Sequence, residues 1–287
     1  MNSTLKLWTQ LGLGTALAGG LLAACGGEAG GGEGAATGAA GGETAATAGE
    51  GEGGTGAGEG GGGEAAGGEG EGGVAVGDAA TDPVAYGIAL AVAEAHVVAA
   101  RDAYAAGKKE AAAEMFAHPV SEVLVDMDPV FAKLGVKDFK PLFTAASVAA
   151  SDGKPAAEVN KAYDAIIAAL RGAAGKAPKS DASGAKVATG VIADQIERAS
   201  AMYRTIAKDD RYEPYLDGYG FAKVAASGFA ANGAAIKADN PDAHARITEA
   251  LAVLGLAYPA AARPAKLPVE AGALSGASAK VMLAAGS

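Results

Sequence analysis

The histidines are the side chains of this sequence best suited to binding a metal ion. There are three in 287 residues, at positions 96, 118 and 244. Metal sites in helical bundles use histidines and carboxylates that project inward from facing helices. His118 and Glu122 are spaced by four, which places both on one helix face, and His96 follows Glu94 closely. The candidate metal ligands, for iron or another transition metal, are His96, His118, Glu94 and Glu122.

Each histidine also has a plain structural interpretation. Pro119 follows His118 directly and indicates a helix that begins there, so His118 could cap that helix. His96 lies in an alanine-rich stretch and could be an ordinary packing residue. His244 comes in the first turn after Asn240-Pro241 and is expected to be solvated.

A run of tyrosines between Arg211 and Phe221 is the second candidate site. Tyrosine has an apolar ring and a polar hydroxyl, which suits a binding surface or a seam between helices. The candidate surface residues are Tyr212, Tyr215 and Tyr219. The glycines of this run do not form a phosphate loop, because no strand precedes them and no Gly-Lys-Ser or Gly-Lys-Thr follows.

No catalytic residue can be nominated from the sequence. No serine, histidine and carboxylate stand in a recognisable context, and no pair of carboxylates is singled out by its spacing. An enzyme is therefore not favoured, although a hydrolase with a metal-bound water stays possible.

The first 24 residues have the features of a secretory signal peptide. Lys6 is the one cation, an apolar stretch runs from Leu11 to Leu22, and small residues follow. About a dozen apolar residues are too few to span a bilayer, which needs ~20. We therefore expect cleavage after residue 24.

The segment Leu22-Ala23-Ala24-Cys25 resembles the lipobox of bacterial lipoproteins. The resemblance implies that Cys25 is lipidated with acyl chains such as palmitate, becomes the mature N-terminus and anchors the protein in a lipid bilayer. Cys25 is also the only cysteine, so no disulfide or thiolate site remains. Gly26 and Gly27 follow where an aspartate would favour the inner membrane, so the outer membrane is favoured, on its periplasmic face or at the cell surface.

Residues 25–77, which we call the tether, have the composition of a flexible spacer. Between 26 and 77 there are 25 glycines and nine glutamates but no lysine, arginine or aromatic residue. Such a segment cannot form a core, and a coil of this length reaches roughly 40 Å. The formal charge is −9 here and only −2 over residues 78–287, so no nucleic-acid partner is expected.

Residues 78–287 are predicted to form an all-α helical bundle. Asp82-Pro83, Asp128-Pro129 and Asn240-Pro241 each place a capping side chain before a proline of the first turn. Glycines end apolar periods at positions 107, 135, 153 and 172. The predicted helices are 83–106, 108–117, 119–134 with a break at 128, 139–152, 155–171, 185–208, 214–238, 241–257 and 273–285.

One face of the first helix is predicted to be buried, and a polar loop divides the chain. The face consists of residues with three-four spacing: Tyr86, Leu90, Ala93, Val97, Ala100 and Tyr104. The loop from Gly175 to Gly184 could separate two helical halves, 78–174 and 185–287.

The exported N-terminus, the possible helical halves, His96 and the segment Tyr215–Phe221 together resemble the imelysin family. Its members are periplasmic or lipid-anchored helical bundles linked to iron uptake. The family signature is glycine, any residue, histidine, two residues, glutamate, and the matching stretch here is Glu94 to Ala99. His96 is the residue that carries over, whereas the signature's glycine and glutamate are replaced.

Two functions follow as expectations. The first is an envelope lipoprotein whose helical domain binds a ligand, with iron or another metal as its sharpest form. The alternative is a structural or interaction lipoprotein that presents a helical surface to an envelope protein and uses no small ligand.

Overall fold

The computed structural model describes residues 76–286, and these residues form an all-α bundle without strands, which confirms the predicted fold class. The predicted signal peptide, Cys25 and the tether up to residue 75 lie outside the described residues. The α-helices of the described part are α1 Pro83–Ala105, α2 Lys109–Pro119, α3 Asp128–Leu134, α4 Lys140–Ser151, α5 Ala156–Ala174, α6 Gly184–Ile206, α7 Glu213–Asp239, α8 Pro241–Ala257 and α9 Ala271–Ala285. A π-helical turn, Val120–Leu124, continues directly from α2.

Two of the three predicted N-terminal caps are confirmed. The side chain of Asp82 accepts a hydrogen bond from the backbone N–H of Val84, at 2.8 Å, and Asn240 accepts one from Ala243, at 3.0 Å. The prediction for Asp128 is wrong, since it is already the first residue of α3 and its side chain makes no capping bond. Its carboxylate pairs with a lysine at the start of α4 instead.

The helix ends also follow the glycines, with one exception. Gly107, Gly135 and Gly153 have φ of 77°, 67° and 64°, the left-handed conformation that glycine adopts without steric cost. Gly172 does not end a helix, because α5 continues through it to Ala174.

Helix α1 is the centre of the bundle. It packs against α2 and α5, which precede the loop Gly175–Gly184 in the sequence, and against α6 and α7, which follow that loop. The predicted apolar face is buried apart from Tyr104, which is half-buried, and residues on the other faces, such as Val92 and Ala99, are buried too. The two sequence halves therefore share this helix as a common core.

Within the described residues, α1 is also the one helix whose length and apolar composition would suffice to cross a membrane. Most of that stretch is buried by the surrounding helices. Its apolar composition is accounted for by its central position, because a helix covered on all sides needs apolar residues all round.

Glycines allow the central helices to approach closely. A Cβ atom on Gly220 of α7 would lie 2.3 Å from the carbonyl oxygen of Ala95 in α1. At the contact between α6 and α1, a Cβ on Gly190 of α6 would lie 2.7 Å from a methyl group of Val84. The backbone of α7 thus touches the backbone of α1 next to position 96.

We predict that Gly220→Ala lowers the free energy of unfolding by about 1–3 kcal/mol, the usual cost of overpacking a core. The new methyl group would meet a backbone oxygen, which cannot rotate away, and must push α7 from α1. Urea unfolding of the full-length protein measures the change.

The matched control is Gly276→Ala in α9, where nothing lies within 4 Å of the added atom. There the free energy should rise by about 0.5–1 kcal/mol, because alanine favours a helix over glycine. Equal effects at both positions would contradict the packing argument.

Candidate metal centre

Four side chains from four elements of the bundle meet in one place. They are His96 of α1, His118 of α2, Glu122 of the π turn and Asp217 of α7, and we call them the histidine–carboxylate cluster. One nitrogen of each histidine and one oxygen of Asp217 all lie within 4.8 Å of one another. The ring centroids of the two histidines are 5.8 Å apart.

His96 is held in one orientation by the backbone of its own helix. Its Nδ1 lies 2.8 Å from the carbonyl oxygen of Val92, and since a carbonyl only accepts, Nδ1 carries the proton and donates. Its Nε2 therefore points to the carboxylates, 3.3 Å from Oε2 of Glu122 and 3.5 Å from Oδ1 of Asp217. In metal-binding histidines the nitrogen that does not bind the ion commonly donates to a backbone carbonyl, as Nδ1 of His96 does here.

His118 and Glu122 come together through the junction of α2 and the π turn. Pro119 does not start a new helix as expected, and is instead the last residue of α2. The following turn is wider, with the N–H of Val125 bonded to the carbonyl of Val120 at 3.2 Å. Oε1 of Glu122 lies 3.5 Å from Nδ1 of His118, so the carboxylate contacts both histidines through different oxygens. Single π turns inside helices are frequent at functional sites.

Asp217 reaches His96 because α7 lies against α1 at Gly220. Its Oδ1 is buried and has no hydrogen-bond partner, apart from the ion-pair contact with Nε2 of His96. A buried carboxylate oxygen without a donor is costly and rare in a folded protein. It is the atom of the cluster that most needs a cation.

The pKa values reflect this crowding of charge. Burial raises the pKa of Asp217 to about 6, against the opposing effect of His96 and His118. Burial also acts to lower the pKa of His96, but the hydrogen bond to Glu122 and the charges of Asp217 and Glu122 outweigh it, so its pKa is raised. For Glu122, burial is outweighed by the hydrogen bond and charge of His96, and its pKa is lowered.

The spacing of the donor atoms fits a transition metal ion. Two ligands bound at about 2.0–2.1 Å in tetrahedral geometry are about 3.3–3.4 Å apart, close to both contacts of His96 Nε2. The three donor atoms of His96, His118 and Asp217 lie within 4.8 Å of one another, so the widest pair must approach by up to about 1.4 Å to reach the tetrahedral spacing. That movement is within the range of a side-chain rotation.

Glu94 does not join the cluster. Both of its carboxylate oxygens bond to the guanidinium of Arg171 in α5. Residues two apart on a helix point to nearly opposite faces, so Glu94 and His96 cannot serve one ion. The assignment of Glu94 as a ligand therefore fails on helix geometry. His244 is also elsewhere, packed on Phe229 with ring centroids 5.0 Å apart.

The tyrosine run forms a seam rather than an exposed surface. Tyr215 and Tyr219 are buried, and Tyr212 is half-buried. The hydroxyls of Tyr212 and Tyr215 donate to carbonyls of the segment that follows α8, while that of Tyr219 donates to Asp102 at 2.7 Å. Our expectation of a binding surface here is corrected, because these rings and hydroxyls are used within the bundle.

Two acidic residues of the site were not predicted. Asp217 belongs to the cluster, and Glu213 lies beside it, with Oε1 3.7 Å from Nε2 of His118. Their spacing of four on a helix that starts at Glu213 is the signal that could have identified them.

Comparison with known proteins identifies no relative. No family model matches the chain, and no curated protein or solved structure matches it either. The resemblance to the imelysin family therefore stays a prediction. We therefore infer function from the geometry of the histidine–carboxylate cluster.

We predict that Asp217→Asn stabilises the metal-free protein at neutral pH. The pKa of Asp217 is about 6 in the folded protein and ordinarily 3.8, so its charge opposes folding above pH 6 and has no effect below 3.8. The variant should gain about 1–3 kcal/mol in free energy of unfolding at pH 7.5, and the gain should vanish as the pH falls through this window.

Urea unfolding of chelator-treated protein between pH 4 and 8 measures this difference. The control is Asp164→Asn, at an exposed position of α5, which should change stability by less than about 0.5 kcal/mol. A variant less stable than the wild type at pH 7.5 would show that Asp217 is well paired without a metal.

Proposed function

We propose that this chain is a membrane-anchored envelope lipoprotein whose helical domain binds a transition metal ion at the histidine–carboxylate cluster. The observation that carries the proposal is the buried Oδ1 of Asp217, which has no donor and faces Nε2 of His96. A cation between these atoms would satisfy both. Glu122 and His118 would complete the set of ligands.

The charge balance of the cluster supports a metal rather than a closed set of ion pairs. Glu122 and Asp217 bring two negative charges to a buried place, with Glu213 near its edge. Because Nδ1 of His96 donates to the backbone, Nε2 can offer a lone pair to an ion once it gives up the proton that it shares with Glu122. A divalent ion neutralises both carboxylates and accepts that lone pair, whereas one proton balances half of the charge.

The donor types restrict the choice of ion. Two imidazoles and two carboxylates, with no thiolate, suit iron, zinc or manganese better than copper(I). The resemblance to the imelysin family favours iron among them. No catalytic role is proposed for the site.

The location is argued from the N-terminus. A signal peptide followed by the lipobox-like segment supports export and lipidation of Cys25, and the absence of an aspartate after it favours the outer membrane. The acidic tether would let the domain work some distance from the bilayer. The lipid bilayer is thus the proposed partner of the N-terminus.

The alternative is an interaction lipoprotein that presents a helical surface to another envelope protein. The structure removes the main observation that favoured it. That support came from the tyrosine run, and Tyr215 and Tyr219 are buried. The metal-binding proposal is therefore preferred.

We predict that the full-length protein, purified without a histidine tag, binds about one Fe(II) or Zn(II) ion per chain. His96→Ala and Asp217→Asn should each weaken binding by more than about 100-fold, since each removes a direct ligand. Elemental analysis after dialysis gives the stoichiometry, and titration calorimetry gives the affinity.

The matched controls are His244→Ala and Asp164→Asn, which remove the same side-chain types outside the cluster. Both should bind the ion like the wild type. Circular dichroism should show that all four variants stay helical. If the wild type takes up no metal, or if His96→Ala retains full affinity, the metal proposal is wrong.

We predict that the mature N-terminus in the native host is an acylated Cys25. Mass spectrometry of the N-terminal peptide should show cleavage before Cys25 and the added mass of acyl chains. Cys25→Ser should give no acylated peptide, because serine has no thiol to form the thioether, while Gly26→Ala should be processed normally. Recovery of unmodified protein that begins at Met1 would refute the anchor.

A further inference from the structure

The exposure of the side chains decreases in steps from the surface to the inside of the cluster. Glu213 is 46% exposed, His118 is 20% exposed, Asp217 and Glu122 are 17% and 15% exposed, and His96 is 3% exposed. Each step is also a contact between polar atoms, at 3.7 Å, 3.5 Å and 3.3 Å from Glu213 through His118 and Glu122 to His96.

His118 connects the outer and the inner parts of this series. Its Nε2 faces Glu213 and its Nδ1 faces Glu122, so the ring lies between an exposed and a buried carboxylate. A cation that leaves the carboxylate of Glu213 can therefore bind a ring nitrogen of His118 before it reaches the carboxylate of Glu122. An unbroken series of donors keeps low the cost of removing water from an ion.

The opposite side of the cluster is closed. The ring of His96 meets the edge of Phe221, which is buried, with centroids 5.8 Å apart. Next to it, Gly220 touches the carbonyl oxygen of Ala95, and Val92 occupies Nδ1 of His96. The ring of Phe221 and the backbone at Gly220 therefore cover His96 on that side.

We propose that Glu213 is the capture residue for the metal ion, which enters along Glu213 and His118 and is then held by His96, Glu122 and Asp217. The inference rests on the proposed metal-binding function and assigns a separate task to Glu213. An exposed carboxylate attracts the hydrated cation and raises its local concentration at the mouth of the site. Glu213 accordingly affects how fast the ion binds, whereas the buried ligands determine how long it stays.

The test measures the rates of metal binding rather than its affinity alone. Co(II) is the probe, because its visible absorption reports coordination, and stopped-flow mixing with the full-length protein gives the association rate. Displacement by excess chelator gives the dissociation rate. Glu213→Gln should slow association roughly three- to tenfold, and the dissociation rate should stay within about twofold of the wild type.

The matched control is Glu158→Gln in α5. Glu158, like Glu213, is an exposed glutamate in the first turn of a long helix, and it lies outside the cluster. Its substitution changes the net charge equally and should leave both rates as in the wild type. Raised salt should also reduce the difference between the wild type and Glu213→Gln, because it screens an exposed charge.

The outcomes separate the two proposals. Slower association in Glu213→Gln alone supports the capture role. Unchanged rates, an equal slowing in both variants, or faster dissociation from Glu213→Gln would overturn it, the last because Glu213 would then be a holding ligand. If the wild type shows no Co(II) absorption band at all, the metal-binding function itself fails, which is a different result from any of these.

Discussion

The contact between Gly220 of α7 and the carbonyl of Ala95 in α1 is the constraint on which the site depends. His96 is the next residue after Ala95, and Asp217 lies three residues before Gly220, on the same side of α7. The contact therefore brings Oδ1 of Asp217 to 3.5 Å from Nε2 of His96. A larger side chain at position 220 would keep both His96 and Asp217 but push apart the helices that carry them.

The same contact makes the metal-free cluster a source of instability. Oδ1 of Asp217 is buried without a hydrogen-bond donor, although the side chain as a whole is 17% exposed. Burial then raises its pKa to about 6, which means that the bundle does not favour its charged form. A metal ion that binds only the folded chain would reverse this, because binding stabilises the state that binds. Strain of this kind, placed where a ligand would relieve it, is typical of functional sites.

Much of the fold could be predicted because its signals are local. Asp82 and Asn240 cap helices through hydrogen bonds to their own neighbours, and Gly107 ends a helix through its own conformation. Such features need no knowledge of the tertiary structure. Asp128 shows the limit, since a lysine twelve residues away takes its carboxylate from the capping role.

The site was only partly predictable, because proximity across helices has no local signal. His118 and Glu122 were paired correctly by their spacing of four, but the link to His96 depends on how α2 packs on α1. Asp217 is separated from His96 by more than a hundred residues, and nothing in the sequence around Gly220 indicates the contact with α1 that brings it close.

Two buried polar residues of α1, Glu94 and His96, have different roles in the bundle. Glu94 and His96 differ by two positions and so face different neighbours. Glu94 binds Arg171 through both oxygens, which ties α1 to α5 and satisfies the carboxylate fully. His96 has one nitrogen satisfied by Val92 and the other directed at carboxylates that lack enough donors. Because the pair of Glu94 and Arg171 fixes α1 in place, Nε2 of His96 is held towards the carboxylates of the cluster.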